Sequence, residues 1–375
     1  MKQRTLRRLL CLGLLLAVIP SSALAALQVT FFYERMGTSA LVQADGQTML
    51  IDVGPAVGTD EILSYLDSIG LQKIDLLAGT LLREDHIGGM SSVLKKYNIS
   101  SLWLPGSLAE DPVFQNLQSA IQASDAKVTI PMPGDRYNLG NAKISVLDFP
   151  KRSEGDLGTP GLVLRIDYDA FSFLIASDSN AVNKSVSVPY GTNYDVDVLA
   201  VNSYSSESLS QAHLDTVSPL WAVLGSDAEL SPEETQTILI DQGIHALQPG
   251  KDRFIIFKTD GNTLQAEHAA SGIATKNSIN LRKGASTKSD KVATMSKGTV
   301  VTIHGTTLGS EGLWYSVEAN GKTGFVRGDL IEEVSLEKAE RLLAEATSKP
   351  RGSNKETQSE SSVVETPEES PADCH

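Results

Sequence analysis

Residues able to do chemistry are concentrated in one run, Thr80-Leu81-Leu82-Arg83-Glu84-Asp85-His86-Ile87-Gly88-Gly89-Met90. Asp85 and His86 stand side by side, a carboxylate next to an imidazole, both common ligands of divalent metals. Arg83 comes two residues before Asp85. A guanidinium has no lone pair to give a metal, but its planar fork matches a carboxylate and can neutralise it in a bidentate pair. The run therefore carries two chemistries. It is a metal loop, or it is a loop in which Arg83 supplies the cation and Asp85-His86 form a hydrogen-bonded brace with His86 as a structural histidine. Of the other histidines, His213, His245, His268 and His304 are scattered without His-x-x-x-His spacing and read as surface or packing residues. Ser205-Ser206 lacks the G-x-S-x-G context of a nucleophile elbow. Asp195 and Asp197 read as loop solvation.

The elements that must position this run follow from periodicity. Leu27-Gln28-Val29-Thr30-Phe31 alternates, Ser39–Gln43 follows, and an Asp45-Gly46 turn leads into the return strand Thr48–Val53. Ile62, Leu63, Leu66 and Ile69 have helical spacing, closed by Gly70. Residues 74–78 make a buried strand before the run and Met90–Tyr97 a helix after it. Then come strand 102–104, helix 111–124 and strand 127–130. Strands are expected at 143–148, 162–168, 171–177, 196–201 and 220–224, with helices at 209–216 and 232–242. A last hairpin turns at Asp260-Gly261-Asn262. Two β-rich halves with helices imply an α+β chain, with sheets face to face and helices outside. Residues 271–334 hold closely spaced short strands, the pattern of a small barrel. Residues 335–349 read as a helix, and the Ser/Glu/Thr/Pro-rich tail 350–375 as unstructured.

The N-terminus reads as an export signal. Lys2, Arg4, Arg7 and Arg8 precede the apolar run Leu9–Ile19, and Ala23-Leu24-Ala25 is a small-x-small cleavage site, giving a signal peptide at 1–25. The apolar run is too short to span a bilayer as a helix, so no transmembrane segment is expected in the mature chain. The net charge is −14; removing 1–25 takes away four basic and no acidic residues and leaves −18. Such a surface disfavours nucleic acid, whose binding rests on Lys/Arg neutralising phosphates. The only cysteines are Cys11 and Cys374, so the expected mature domains can close no internal disulfide. Their stability must come from buried apolar area.

The run Thr80–Met90 resembles the T-H-x-H-x-D-H-x-G-G loop of the metallo-β-lactamase superfamily, and Met49-Leu50-Ile51-Asp52-Val53-Gly54 resembles that family's L-I-D-x-G strand. The spacing is similar to that of the ComEC-type branch, over residues 26–270. The resemblance implies an αββα sandwich. It also marks where this chain departs. The two histidines that precede the Asp-His pair in active members are Leu81 and Arg83 here. Phe173–Asp178 resembles F-L-L-T-G-D and puts Asp178 at the metal-bridging carboxylate. Val198–Ser206 resembles L-K-V-P-H-H-G-S, with Ser203 and Tyr204 at the histidines. Glu229–Glu233 resembles H-P-S-P-E, with Glu229 at the last ligand. Val29–Ser39 resembles V-T-F-L-D-V-G-Q-G-D-S, with Tyr33 and Thr38 at its two Asp positions. The implied residual pocket is Arg83, Asp85, His86, Asp178 and Glu229. A dinuclear zinc site is not expected, and no cofactor is expected. The alternative is one divalent metal (Mn, Fe, Zn or Mg) on Asp85, His86 and Asp178, in a hydrolase of a phosphoester or envelope substrate.

Asn280–Ser286, Lys297–Val301 and Trp314–Val317 with Gly321–Val326 resemble the motifs of bacterial SH3-type domains. That resemblance implies a barrel that binds peptidoglycan or peptide, with Trp314, Tyr315 and Phe325 as the expected ligand residues. The combined expectation is a secreted, envelope-associated binding protein that has lost the superfamily's hydrolytic chemistry.

Overall fold

In strand β3 (Gln47–Ile51) and strand β4 (Lys73–Ala78), consecutive rather than alternate residues are apolar. Such strands need cover on both faces, and the structure, a computed structural model, provides it. It describes residues 26–34, 37–108, 114–147, 161–176, 194–204, 211–228, 238–239, 241–247, 254–334 and 338–343. The expected signal peptide at 1–25, the expected tail at 350–375, Asp178 and Glu229 lie outside the described residues. No described helix is long and apolar enough to cross a membrane.

The first sheet is built on β1 (Leu27–Glu34), β2 (Gly37–Ala44), β3, β4, β5 (Asn98–Trp103) and β6 (Lys127–Thr129). β1, β2 and β3 pair antiparallel, and β3 to β6 run parallel. Parallel neighbours need crossovers, supplied by α1 (Thr59–Ser68), by the short α2 (Glu84–Ile87) with α3 (Met90–Lys96), and by α4 (Gln115–Gln122). The second sheet orders β7 (Arg136–Leu139), β8 (Ala142–Val146), β9 (Val163–Tyr168), β10 (Phe171–Ala176), β11 (Val198–Tyr204), β12 (Trp221–Ala228) and β13 (His245–Leu247) side by side. Helix α5 (Gln211–Val217) lies between β11 and β12 in the chain.

Three cores define the layers. Val29, Phe31, Met49 and Ile51 meet Ile166, Phe173 and Trp221 between the sheets. Leu41, Leu50 and Leu77 face α1 and α3 through Ile62, Leu66, Met90 and Val93. Leu174 and Leu199 face α5 through Leu214 and Val217. This is the αββα sandwich implied by the resemblance.

The C-terminal unit does not start on a linker. Strand β14 (Phe254–Thr259) joins β1, and β15 (Leu264–Ala274) completes the expected hairpin and then runs past residue 270. It pairs with β18 (Val300–Gly309) and β21 (Ile331–Val334), so the expected boundary at 270/271 falls inside a strand. Strands β16 (Ile279–Arg282), β17 (Lys291–Met295), β19 (Gly312–Ala319) and β20 (Lys322–Arg327) close the barrel around Leu281, Val301, Ile303, Val317 and Val326. Continuous backbone pairing unites sandwich and barrel in one 14-stranded sheet.

Candidate functional site

The chemistry-bearing loop sits where β3 and β4 end. Asp52 follows β3 with φ 53°, a left-handed conformation that a short polar side chain tolerates better than most. The turn aims its carboxylate at the next loop. Asp52 accepts hydrogen bonds from the Thr80 backbone N–H (2.7 Å), the Thr80 hydroxyl (2.5 Å) and His86 Nδ1 (2.9 Å). Thr80 Oγ1 is also 3.2 Å from His86 Nδ1. Asp52, Thr80 and His86 are all buried. The main chain repeats the link, with Val53 N donating to His86 O at 2.9 Å and Gly89 N to Gly54 O at 3.1 Å.

The two glycines of the motif serve this close approach. A Cβ on Gly88 would lie 2.5 Å from the Glu84 carbonyl and 2.8 Å from Ala56 N. On Gly89 it would lie 2.4 Å from Thr59 Oγ1. Their role in the fold is to let two loops pack backbone to backbone.

Asp85 and His86 look in different directions. His86 turns inward to Asp52, whereas Asp85 is held by Arg83: Arg83 Nε donates to Asp85 Oδ1 at 2.9 Å and Arg83 Nη2 to Oδ2. The guanidinium fork thus occupies both oxygens of the carboxylate. Burial pushes the Asp85 carboxyl up, but the Arg83 hydrogen bonds and the charges of His86 and Arg83 outweigh it and hold it below its ordinary value. For His86, burial opposes the imidazolium. Asp52's charge and hydrogen bond, with Asp85's charge, prevail and hold it above its ordinary value. Leu81, at the other expected ligand position, is buried as an aliphatic side chain. Among the described residues, no group of three or more His, Cys, Asp or Glu is arranged to hold a metal ion.

Asp52 and Thr80 are the residues that sequence reasoning did not single out. The available signal was an aspartate closing an otherwise apolar strand, in the L-I-D-x-G match.

The barrel residues need a correction. Trp314 and Tyr315 are each 2% exposed, so neither forms an open platform. β19 is flanked by β18 and β20, and neighbouring side chains on a strand point to opposite faces; here both faces are covered. Tyr315 belongs to the barrel core. Phe325 is partly exposed.

Tyr315 instead joins a polar cluster where barrel and sandwich meet. Its hydroxyl donates to Glu333 Oε1 at 2.6 Å, and His245 Nδ1 lies 3.0 Å from the same oxygen. His268 lies at the register shift between β15 and β18, and its Nε2 is buried with no hydrogen-bond partner. Burial drives His268 down to about 4, against the attraction of Glu333. Burial raises Glu333, but the hydrogen bond and charge of His245 and the Tyr315 hydroxyl pull it below its ordinary value. Two histidines read as incidental thus flank a carboxylate that ties β13, β19 and β21 together.

Known proteins resemble both parts. Residues 277–332 match the family model of the bacterial SH3 domain. Over 172 residues, 46% of this chain, the sequence is 20% identical to ComE operon protein 3 of Bacillus subtilis (strain 168), and the match spans 22% of that relative's length. Among solved structures, the metallo-β-lactamase fold protein YhfI from Bacillus subtilis is similar at 15% identity and TM-score 0.45, over 62% of this chain and 99% of that one. Igni18, a metallo hydrolase from the archaeon Ignicoccus hospitalis, is similar at 16% identity and TM-score 0.42, over 62% and 100%. The chain joins a two-sheet sandwich with helices on its outer faces to a segment that matches the bacterial SH3 domain model.

Proposed function

We propose that this chain is an exported envelope protein whose sandwich binds rather than hydrolyses, held at the cell wall through its bacterial SH3 domain. The observation that carries the reading is Arg83 on both carboxylate oxygens of Asp85. A fixed cation stands where the superfamily's loop would contribute a ligand, and it satisfies the next ligand in line. With Leu81 unable to donate a lone pair, the donor set does not fit a dinuclear zinc centre, which takes about three or four protein ligands per ion. His86 turns inward, its Nδ1 bonded to Asp52, which fixes the orientation of the ring. The net charge of −14 over the full chain argues against a DNA substrate.

The test is metal analysis of the purified full-length protein, followed by titration with Mn and Zn. The expected result is no stoichiometric tight binding and no hydrolysis of generic phosphoesters. Two ions at full occupancy would overturn the reading. One tightly bound ion that is lost in Asp178→Ala would replace it with a single-metal hydrolase. Arg83→His is expected to restore no activity, because Leu81 remains a non-ligand.

A further inference from the structure

The outer face of the first sheet carries a groove of about 670 Å3 beyond the end of α1, remote from the Asp52–His86 loop in the fold. That volume lies in the ordinary range of ligand sites, roughly 300–1,000 Å3. Its floor is a row of polar side chains. Thr48, Gln43, Gln28, Lys258 and Gln265 stand directly opposite one another on β3, β2, β1, β14 and β15, in one row across five strands. The same row reaches Thr307 on β18, in the barrel. Their neighbours in sequence, Val29, Val42, Met49, Phe257 and Ala266, point into the inter-sheet core, so the polar row faces outward. Leu71 supplies an apolar wall.

The charges there are largely committed. Lys258 pairs with Glu267 at 2.5 Å. Asp45 accepts from Asn141 N (2.8 Å), and Asp260 accepts from Thr263 N (2.8 Å). One cation against three carboxylates repels anionic polymers. The Gln43 and Gln265 amides are engaged by no partner among the described residues. Each offers a neutral donor and acceptor side by side, the pairing that adjacent hydroxyls satisfy. Neighbouring strands are about 4.8 Å apart, so the groove presents polar groups at a repeat close to that of sugar rings along an extended glycan. A peptide strand has no sheet edge to join here, because the row crosses paired interior strands.

We infer that this groove binds a neutral, extended, β-linked glycan strand laid across the strands from β3 toward the barrel. The inference deepens the envelope reading by naming a ligand class, and it moves the contact away from the buried Trp314 and Tyr315. Isothermal titration of the full-length protein with chitohexaose and cellohexaose tests it, with the curled α-linked maltohexaose as comparison. The expected result is binding of at least one β-linked hexasaccharide over maltohexaose. Affinity should fall about tenfold or more in Gln43→Leu/Gln265→Leu, as expected for losing two amide contacts. Gln265→Lys, a change at an exposed position, should weaken binding with no change in thermal midpoint. No binding of any β-linked hexasaccharide, or affinity unchanged in both variants, overturns the inference. So does a preference for a soluble wall stem peptide over the glycans. Retention on insoluble peptidoglycan sacculi reads the envelope proposal separately. A protein that binds hexasaccharide but not sacculi loses that proposal and keeps the groove, and the reverse result loses the groove alone.

Discussion

His86 and His268 are both imidazoles near a carboxylate, and the fold drives them in opposite directions. His86 is held above its ordinary value although burial opposes it. His268 is pushed down to about 4 although Glu333 attracts its proton. The difference is the charge of a carboxylate in direct contact, joined by its hydrogen bond. Asp52 is 2.9 Å from His86 Nδ1, whereas Glu333 is already engaged by His245 at 3.0 Å and by Tyr315 at 2.6 Å. His268 Nε2 has no hydrogen-bond partner. Glu333, shared with His245, does not offset the desolvation of His268, whereas the charge and direct bond of Asp52, with the charge of Asp85, do so for His86.

Removing the acceptor should break the comparison hardest. Asp52→Ala strands the Thr80 N–H, the Thr80 hydroxyl and His86 Nδ1 in a buried site. Loss of one partner from a buried ionic cluster costs about 3–5 kcal/mol. Asp52→Asn keeps a side chain suited to φ 53° and an acceptor oxygen, so it should lose clearly less. Urea unfolding of both variants measures this. If alanine costs under about 1 kcal/mol, which is the scale of a single ordinary hydrogen bond, the buried cluster is not what holds the two loops together.

The seam gives the next largest effect, as a dependence on pH. Unfolded, His268 takes up its proton near 6.5; folded, only near 4. Between those values the unfolded chain binds more protons, so stability rises with pH. The contribution is complete above about 6.5 and is lost as pH falls toward 4, amounting to about 3 kcal/mol at most. The groups facing His268 are Glu333 and His245, and Glu333 stays ionised through most of this window because it is held low. Stability measured from pH 7.5 to 4.5 should show a component that disappears in His268→Leu. An unchanged slope in that variant would assign the acid sensitivity to other groups.

The layers were legible in the sequence, and the site was legible only in part. Consecutive apolar residues in Met49-Leu50-Ile51 and Leu76-Leu77-Ala78 announce strands covered on both faces, and the helical spacing of Ile62 and Leu66 announces the cover. The glycines of the Asp85–Gly89 run pointed to the right loop. What the run could not show was the direction of each side chain. Asp85 and His86 are adjacent, yet one turns out to Arg83 and the other in to Asp52, 34 positions away in sequence. The barrel hid its chemistry for a similar reason. Tyr315 reads equally well as platform or core, and β15 Leu264–Ala274 decides the matter by running through the expected boundary and placing β21 beside it. Glu333, in an unremarkable Glu-Glu pair, carries no signal of its role in sequence.

The smallest expected effect comes from the pair that carries the functional argument. The Arg83 side chain is 47% exposed and that of Asp85 13%, so water screens the ion pair despite its two-point geometry. Exposed pairs contribute about 0.2–1 kcal/mol, and Arg83→Ala should cost no more than that, with the cost shrinking in high salt. A double-mutant cycle with Asp85→Ala isolates the coupling. A small coupling here beside a large loss at Asp52 would separate two jobs within one short run: His86 with Asp52 holds the loop, and Arg83 sets the charge of the carboxylate beside it. A coupling of about 3 kcal/mol, the scale of a desolvated pair, would merge the two, and the Arg83–Asp85 pair would then be part of the loop's structural core.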